Sequence, residues 1–322
     1  MPIAVTGSIA TDHLMHFPGK FADQIVAEQL DRISLSFLVD DLAIRKGGSG
    51  ANIAFGLGVL GQRPLLVGAV GGDFAEYQQW LESHGVDCSA ILVCPDVHTA
   101  RFVCTTDDDM RQIGSFYTGA MARSGEVRLA PLVDRNLDLV LIGASDPGSM
   151  VALTQECRDL GLPFAADVSQ QVTRMEGPEI RQLVEGARYL MTNDYEWDLL
   201  LQKTGWTASQ VAGVIDTRIT TLGEHGVHIV GKDGELKVGV VPETGKVDPT
   251  GVGDAFRAGF LAAIAGGLSM ERGAQLGALV AVQVLETDGG QEWVWDRAHG
   301  VERLRDAYGP DAAAEIEAVL PT

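Results

Sequence analysis

The segment from residue 247 to residue 260, VDPTGVGDAFRAGF, constrains the fold of this chain more than any other feature. Its first half is rich in turn formers, and Gly251 and Gly253 stand where a backbone bends tightly or approaches a ligand closely. Residues 255–265 are small and apolar, which predicts a buried helix. A helix that begins just after Gly251 directs several unpaired N–H groups outward, and Asp254 lies in its first turn. Such a helix start is a common anion site.

Asp254 has two interpretations. It can be an N-terminal carboxylate stabilised by the helix dipole, or a functional carboxylate at an anion site. The dipole alone accounts for an aspartate, but it does not account for two flanking glycines that leave the loop without side chains. The glycines therefore favour a functional carboxylate at an anion site. We also expect the helix N-terminus to lower the pKa of Asp254 and keep it ionised.

The composition limits the class of protein. The 322 residues suffice for one large α/β domain or two smaller ones, and 46% hydrophobic residues are typical of a soluble globular protein. A net charge of −20 argues against nucleic acid as a partner, because phosphate backbones require clustered Lys and Arg. The four cysteines lack C-x-x-C spacing and the N-terminus lacks a signal-peptide pattern, so we expect a cytoplasmic protein with reduced thiols. No apolar run reaches the ~18 residues of a membrane span.

Strands and helices alternate regularly after residue 136. The pattern predicts strands at 137–142, 163–168 and 189–191, with helices at 147–160 and 178–187. This alternation predicts a mostly parallel sheet that is covered on both faces. Candidate functional residues follow two of these strands: Gln170 and Gln171 follow one, and Asn193 and Glu196 follow another. Asn193 with Glu196 also fits a helix capping box, which explains both residues without a ligand.

Two further segments near the N-terminus carry candidate residues. Residues 3–6 predict a strand that ends at Gly7-Ser8, and Asp12 follows, which fits the ligand-binding edge of an α/β sheet. Asp12 can equally cap a turn. Residues 46–52, KGGSGAN, form a second glycine-rich loop that leads into a helix, although such loops often only permit a turn.

A small sheet is predicted outside the main alternation. Residues 33–39 alternate apolar and polar side chains, and residues 99–105 and 112–117 read as strands around a polar turn. Phe102 and Phe116 belong to the last two strands, and core packing is the default role for both.

Residues 56–61, GLGVLG, match the G-x-G-x-x-G dinucleotide fingerprint. The fingerprint requires a strand before it and a helix after it, whereas here a helical pattern precedes and a strand at 64–70 follows. We expect these glycines to pack a helix against the sheet.

The ordered set of motifs resembles the PfkB, or ribokinase-like, carbohydrate kinases over essentially the whole chain. The resemblance rests on Asp12, the loop at 46–52, Asn193 with Glu196, the segment TLGEHG at 221–226, and DPTGVGD at 248–254. It implies one kinase domain over residues 1–322, with a three-layer ribokinase-like α/β fold and a β-sheet lid formed by about 13–46 and 97–118. It also implies a homodimer that forms through the lid. In that dimer Phe37 could reach the active site of the neighbouring subunit.

The resemblance assigns roles to the candidate residues. Asp254 would accept the proton of the attacking hydroxyl, and the amides of Gly251, Val252 and Gly253 would stabilise the transferred group. Val252 replaces the family's usual alanine, which is tolerable because only its amide is required. The nucleotide would contact Asn193, Thr221, Gly223, Gly226 and Gly253, although a β-hairpin turn also explains the last glycines of the 221–226 segment. Glu196 would organise Mg²⁺ through water. The segment 247–260 would be the catalytic loop of a phosphotransferase, and K⁺ often activates such enzymes from a site between this loop and the loop at 286–290.

Within the family the sequence is most similar to bacterial adenosine kinases of the mycobacterial type. That resemblance implies transfer of the γ-phosphoryl group of MgATP to the 5′-hydroxyl of adenosine, in purine salvage. It places Ser8, Asp12, Gly48 and Asn52 at the ribose, and Ser36, Phe102, Phe116, Gln170 and Gln171 around the base.

Three alternatives are considered. A sugar kinase of the ribokinase or fructokinase type shares every motif except the base pocket. A dinucleotide-dependent oxidoreductase requires the inverse order around its fingerprint, and a catalytically silent sensor would usually have lost Asp254 or its glycines. No P-loop, G-x-S-x-G or H-E-x-x-H motif occurs.

Overall fold

Strands and helices alternate along most of the chain in this computed structural model, which describes residues 1–24, 34–232 and 234–321. The strands are β1 Ile3–Thr6, β2 Ala10–Phe17, β3 Asp41–Gly47, β4 Leu65–Val67, β5 Ala69–Gly71, β6 Leu92–Cys94, β7 Ala100–Asp107, β8 Gln112–Tyr117, β9 Leu139–Ile142, β10 Phe164–Asp167, β11 Tyr189–Asn193, β12 Thr217–Thr221, β13 Val227–Gly231 and β14 Gly234–Val238. The α-helices are α1 Phe21–Gln24, α2 Ser49–Val59, α3 Ala75–Ser83, α4 Pro147–Leu160, α5 Gly177–Val184, α6 Asp194–Thr204, α7 Ala208–Ala212, α8 Val252–Ala265, α9 Met270–Leu285, α10 Arg297–Tyr308 and α11 Pro310–Glu317.

The main sheet has eight strands in the order β14-β13-β12-β11-β10-β9-β1-β4. The pairings from β4 to β12 are parallel, and β13 and β14 add antiparallel strands at one edge. The predicted strands at 137–142, 163–168 and 189–191 are present as β9, β10 and β11, and the predicted helices as α4 and α5, with small shifts at their ends. The predicted mostly parallel α/β fold is therefore confirmed.

The core lies in two layers, one on each face of the main sheet. Ile3 and Val5 of β1 belong to a cluster that includes α2, α8 and α9, whereas Ala4 between them packs with α4 and α5 on the other face. All four residues of β1 are buried, as expected for a parallel strand covered on both sides. No helix among the described residues is long and apolar enough to cross a membrane.

A separate four-stranded sheet, which we call the small sheet, has the order β3-β2-β7-β8. Strands β7 and β8 occur where the sequence predicts them. The strand predicted at 33–39 is wrong for residues 34–39, which are irregular, while residue 33 lies outside the described residues. The ring of Phe37 explains the misleading pattern, because it packs against Phe17 and Phe21 rather than within a sheet. Strands β2 and β3 form the other half of the small sheet, beside β7 and β8. The sequence analysis did not predict either of these two strands.

The glycines of residues 56–61 serve packing, although not against the sheet as expected. A Cβ at Gly56 would lie 2.6 Å from the Cβ of Ala258 on α8. A Cβ at Gly58 would lie 2.0 Å from the backbone oxygen of His84, just after α3. The glycines therefore bring α2 close to neighbouring helical segments, and the dinucleotide interpretation has no structural support.

Candidate active site

The predicted catalytic loop folds as a tight turn at the N-terminus of α8. Gly251 caps the helix with a φ of 78°, a left-handed conformation that favours glycine. A Cβ at this position would also lie 3.1 Å from the Cα of Gly290. Because the first N–H groups of a helix have no partner within it, the segment Gly251-Val252-Gly253 offers backbone donors to an anion.

Asp254 occupies the third position of α8, and both of its carboxylate oxygens accept hydrogen bonds. Ser49 donates from Oγ to Oδ1 at 2.8 Å, and Asn52 donates from Nδ2 to Oδ2 at 2.9 Å. Burial raises the pKa of Asp254, while the hydrogen bond from Asn52 and the charge of Arg257 oppose the rise. The expectation that the helix N-terminus lowers this pKa is therefore wrong, because lost hydration outweighs the dipole. The higher pKa makes Asp254 a stronger base than predicted.

Arg257 lies one turn after Asp254 on α8 and is only 7% exposed. Its Nη1 donates to the backbone oxygen of Gly253 at 2.9 Å, and its Nη2 donates to Oδ1 of Asp167 at 2.6 Å. Glu196 lies farther from the guanidinium, with Oε2 at 4.0 Å from Nη2. Arg257 therefore joins the catalytic loop to the end of β10. The sequence analysis missed this residue, although its i, i+3 spacing from Asp254 predicts that both share one helix face.

Asn193 and Glu196 form the capping box considered from the sequence. Asn193 Oδ1 accepts from the N–H of Glu196 at 2.7 Å, and Glu196 Oε2 accepts from the N–H of Asn193 at 2.8 Å. Burial raises the pKa of Glu196, and the nearby charge of Asp167 raises it further. The capping role therefore exists whether or not these residues also bind a ligand.

The described residues contain no group of three His, Cys, Asp or Glu that could hold a metal by themselves. Mg²⁺ usually keeps several waters and is held by one or two carboxylates together with phosphate oxygens. Glu196 and Asp254 both line the cavity beside the catalytic loop. The carboxylate of Glu196 fits an ion that arrives with a nucleotide and is contacted through water.

A cavity of about 970 Å³ opens beside the catalytic loop. Every residue that the sequence assigns to the nucleotide lines it: Asn193, Thr221, Gly223, Gly226 and Gly253. Part of its wall is apolar, formed by Val227, Val241, Ala278, Val282 and Leu285. Gly226 has a φ of 85°, and a Cβ there would lie 2.0 Å from the backbone oxygen of Val238. The cavity volume falls within the roughly 300–1,000 Å³ of small-molecule sites.

Residues predicted to bind the acceptor meet at the N-terminus of α2. Gly48 has a φ of 93°, and a Cβ there would lie 2.5 Å from the backbone oxygen of Ser8. The Oγ of Ser8 accepts a hydrogen bond from the N–H of Ser49 at 3.0 Å. Because Ser49 and Asn52 both donate to Asp254, the 46–52 loop lies directly against the carboxylate of that residue.

Asp12 lies on β2, at the point where the small sheet approaches the catalytic loop. Its Oδ2 would lie 2.9 Å from a Cβ at Gly47, so glycine leaves room for the carboxylate. Burial and then the charge of Asp248 raise the pKa of Asp12 to about 6. The influence of Asp248, which belongs to the catalytic loop, indicates that the two segments are close.

Asp12, Phe102 and Phe116 lie in one row across the small sheet. Asp12 of β2 pairs with Phe102 of β7, and Phe102 pairs with Phe116 of β8. Paired residues point to the same face of a sheet, so one carboxylate and two aromatic rings share a face. A Cβ at Gly114 would lie 3.0 Å from the ring of Phe102, so glycine lets this ring lie along β8.

The structure does not bring Ser36 and Phe37 to this row. Ser36 is exposed in the irregular segment before β3, and no hydrogen bond joins it to the predicted acceptor residues within the described ranges. The ring centroid of Phe37 lies 5.1 Å from that of Phe17 and 4.9 Å from that of Phe21. Phe37 therefore packs against rings of its own chain, and its contact with a neighbouring subunit stays a prediction.

Gln170 and Gln171 follow β10 in a short 3₁₀ turn, as the sequence placed them. Gln170 is exposed, whereas Gln171 is 7% exposed. The Oε1 atom of Gln171 has no hydrogen-bond partner among the described residues. A ligand amide or hydroxyl is one means of satisfying this buried acceptor.

The loop at 286–290 contacts the catalytic loop. Asp248 Oδ2 accepts from the N–H of Gly289 at 3.2 Å, and the N–H of Val247 donates to the backbone oxygen of Leu285 at 2.9 Å. The two loops therefore meet where the resemblance implies a monovalent cation, and K⁺ activation stays a prediction.

Comparison with known proteins identifies relatives. A model of the pfkB family carbohydrate kinase matches residues 20–297. The structure of Burkholderia thailandensis nucleoside kinase in complex with inosine is 32% identical, with a TM-score of 0.84, and the match covers 96% of this chain and 99% of that chain. The structure of the same kinase in complex with ADP-inosine gives a TM-score of 0.79 at 33% identity, with 96% of each chain covered. A nucleoside kinase of Methanothermobacter thermautotrophicus is 27% identical over 313 residues, which are 95% of this chain and 96% of that protein.

These matches agree with the geometry of the catalytic loop, the cavity and the small sheet. The family match covers well over half of the chain and includes the segment around Asp254. The protein therefore belongs to the pfkB family of carbohydrate kinases.

Proposed function

We propose that the protein transfers the γ-phosphoryl group of ATP to the 5′-hydroxyl of a purine nucleoside, with adenosine as the preferred acceptor. The observation that carries this proposal is the row in which Asp12 stands beside the rings of Phe102 and Phe116. A free sugar makes polar contacts but leaves two rings without a partner, whereas a purine stacks on them. Such stacking contributes roughly 1–3 kcal/mol per base. The similarity to a nucleoside kinase whose structure contains inosine supports a nucleoside acceptor.

Asp254 acts as the proton acceptor in this mechanism. The attacking hydroxyl gives its proton to the carboxylate while the γ-phosphoryl group moves in line to the hydroxyl oxygen. The raised pKa of Asp254 suits it to hold that proton. The amides of Gly251, Val252 and Gly253 donate to the charge that spreads over the transferred group. Because the transition state is loose, positioning and electrostatics contribute more than the strength of the base.

The cavity beside the loop is the proposed nucleotide site. Its apolar wall suits an adenine ring. Asn193, Thr221, Gly223 and Gly226 line the same cavity and are proposed to contact the rest of the nucleotide. A bound Mg²⁺ would neutralise negative charge on the phosphates during transfer. Glu196 is the residue proposed to hold its water shell. K⁺ is proposed as an activator between the loops that meet at Asp248 and Gly289.

The acceptor site is proposed to combine two parts. Ser8, Asp12 and Asn52 supply polar groups for the ribose hydroxyls, and Gly48 lets the 46–52 loop pack against the backbone of Ser8, which brings these groups together. Phe102 and Phe116 hold the base, while Gln170 and Gln171 offer amide donors and acceptors to its edge.

A substrate panel tests the proposal. Adenosine, inosine, guanosine, ribose and fructose are supplied separately with MgATP, and ADP release is measured over a range of acceptor concentrations. We expect a higher kcat/KM for purine nucleosides than for either sugar, with adenosine first. If ribose or fructose gives the highest kcat/KM, the nucleoside acceptor is wrong and the protein is a sugar kinase of the ribokinase or fructokinase type. That result would still support phosphoryl transfer from ATP.

We further propose that the chain forms a homodimer through the small sheet. Several exposed apolar residues lie on the face opposite Phe102 and Phe116: Leu42, Ile44, Ile113 and Tyr117. Strands β3 and β8 that carry them are also the edges of the small sheet, and unpaired edges favour association. A second copy of this chain would cover both features.

A further inference from the structure

A chain of hydrogen bonds leads from Trp80 to Asp254. The indole Nε1 of Trp80 donates to Oε1 of Gln291 at 3.2 Å, and Nε2 of Gln291 donates to Oδ1 of Asn52 at 2.9 Å. Asn52 in turn donates from Nδ2 to Oδ2 of Asp254 at 2.9 Å. Gln291 is 1% exposed and belongs to none of the motifs that the sequence analysis used.

The direction of every bond in this chain follows from Trp80. An indole N–H can only donate, so the amide oxygen of Gln291 must face it. The NH₂ group of Gln291 then faces the opposite way, toward Asn52 and the hydroxyl oxygen of Tyr77, which is 2.6 Å from Nε2. Tyr77 itself donates to the backbone oxygen of Gly47 at 2.9 Å, so its oxygen is free to accept from Gln291. The amide oxygen of Gln291 therefore faces a donor, and its NH₂ group faces two acceptors.

We propose that Gln291 is a positioning residue that locks the side-chain amide of Asn52 with its NH₂ group toward Asp254. The proposal rests on the proposed function, in which Asp254 takes the proton of the acceptor hydroxyl. Asn52 has one donor side and one acceptor side, and Gln291 occupies the acceptor side. Asn52 therefore remains a donor to Asp254 before and after the proton is transferred.

This lock favours the ionised form of Asp254. A carboxylate gains from the N–H of Asn52, whereas a protonated carboxyl group would gain more from the oxygen of Asn52. Without Gln291 the amide can turn and serve whichever form is present, so Asp254 holds a proton more readily. The charged groups around Asp254 are Arg257 on its own helix, Asp167 at the end of β10, and Glu196 on α6. A substitution at Gln291 leaves all three unchanged.

The first test follows the titration of Asp254 without any substrate. The protein is labelled with ¹³C at aspartate carboxyl groups, and the signal of Asp254 is assigned by its loss in Asp254→Asn. We expect the titration midpoint to move to higher pH in Gln291→Met, and to move in the same direction but less in Trp80→Phe. Gln275→Met is the matched control, because Gln275 is 5% exposed and accepts from Arg272 on α9. A midpoint in Gln291→Met equal to that of the wild type would overturn the proposal.

The second test uses turnover and a double substitution. In Gln291→Met we expect kcat to fall about threefold to tenfold and the acid limb of its pH profile to move to higher pH, with little change in KM for ATP. In an Asn52→Ala background the same substitution should have almost no further effect, because Gln291 acts through Asn52. An equal loss in both backgrounds would assign Gln291 a merely structural role.

The first test needs no enzymatic activity, whereas the second does. Together they distinguish a failure of the Gln291 proposal from a failure of the proposed function. If the wild type phosphorylates no nucleoside, the proposed function fails, while the carboxyl titration still decides whether Gln291 controls Asp254. The thermal unfolding midpoint of each variant is measured as well. Should Gln291→Met fold poorly, the result for Trp80→Phe decides, and an unchanged titration in that variant contradicts the lock.

Discussion

Nη2 of Arg257 lies 2.6 Å from Oδ1 of Asp167, and Nη1 of the same guanidinium lies 2.9 Å from the backbone oxygen of Gly253. The side chain of Asp167 is completely buried, and that of Arg257 is 9% exposed. One buried cation thus connects the end of strand β10 to the loop beside Asp254. Both the stability of the fold and the shape of the loop depend on it.

Arg257→Met should lower the free energy of unfolding by about 3–5 kcal/mol, because it leaves the carboxylate of Asp167 buried without its partner. Urea unfolding measures the change. Arg123→Met is the matched control: Arg123 is 38% exposed and pairs with the exposed Glu126, so its loss should cost about 0–1 kcal/mol. Equal losses in the two variants would contradict the importance of the buried pair.

Asp254→Asn should reduce kcat by ~10²-fold or more, because the asparagine cannot accept the proton of the hydroxyl. KM for ATP should change little, since other segments line the nucleotide cavity. Initial rates of ADP release provide both constants. Asp194→Asn, which removes another carboxylate from the cavity wall, serves as the control. Near-normal turnover in Asp254→Asn would remove this residue from the mechanism.

Asp12 should give acceptor binding a pH dependence. Its pKa is raised to about 6 by burial and by Asp248, so the carboxylate becomes protonated as the pH falls through about 6. A protonated Asp12 accepts fewer hydrogen bonds from ribose hydroxyls, and KM for adenosine should therefore rise below this pH while KM for ATP stays constant. Asp12→Asn should have a high KM for adenosine that no longer changes over this range. A KM for adenosine that is flat in the wild type would contradict the prediction.

Asp12 should also make the stability of the fold depend on pH. A rising pH should improve acceptor binding but reduce stability. The folded-state pKa of about 6 exceeds the ordinary 3.8, so the folded protein retains a proton that the unfolded chain releases between these values. The contribution of Asp12 to stability therefore decreases as the pH rises through this window. Relative to the wild type, Asp12→Asn should be more stabilising above about pH 6 than below it. Urea midpoints measured on both sides of this pH provide the check.

Phe102→Ala should raise KM for adenosine strongly, because it removes one of the two rings proposed to stack on the base. At ~1–3 kcal/mol per stacked base, the expected rise is roughly fivefold to 150-fold. Any weak activity toward ribose should remain unchanged. Thr105→Ala, on the same strand but the opposite face, is the control. Equal effects of Phe102→Ala on ribose and adenosine would argue against stacking.

Light scattering tests the proposed dimer. The wild type should have twice the mass of the 34.3 kDa chain at micromolar concentration. Ile44→Asp places a charge on the apolar face of the small sheet, where Ile44 is 60% exposed, and should give a monomer. Val294→Asp, at a site that is 82% exposed elsewhere, should leave the mass unchanged. A wild-type protein that is monomeric and active would exclude the dimer.

Local sequence patterns predicted the turn and helix start around Asp254, and they selected residues that line one cavity. Gly251, Gly253 and Asp254 lie within four consecutive residues, and their geometry follows from a turn and a helix start. The parallel strands of the main sheet were also predictable, because their apolar runs are interrupted by clear helical patterns. The residues assigned to the nucleotide then met in one cavity because the carboxyl ends of parallel strands share an edge.

Long-range contacts explain what the sequence did not reveal. Arg257 contacts Asp167, 90 positions away, and Gln291 contacts Asn52, 239 positions away. No local sequence pattern predicts such pairs. Strand β3 has mostly partly exposed or exposed residues, so its alternation of apolar and polar side chains is weak. The segment 34–39 alternates more clearly but forms no strand, because Phe37 is packed by an aromatic cluster.

The small sheet joins two segments of the chain, β2 with β3 and β7 with β8, through the parallel pairing of β2 and β7. The proposed base contacts at Phe102 and Phe116 come from the second segment alone, whereas Asp254 and the nucleotide cavity come from later parts of the sequence. The two rings proposed to contact the base could therefore be replaced within residues 100–117 without altering Asp254 or the lining of the cavity. Such replacements would change the proposed preference for the base, while the proposed ribose contacts at Ser8, Asp12 and Asn52 would stay in place.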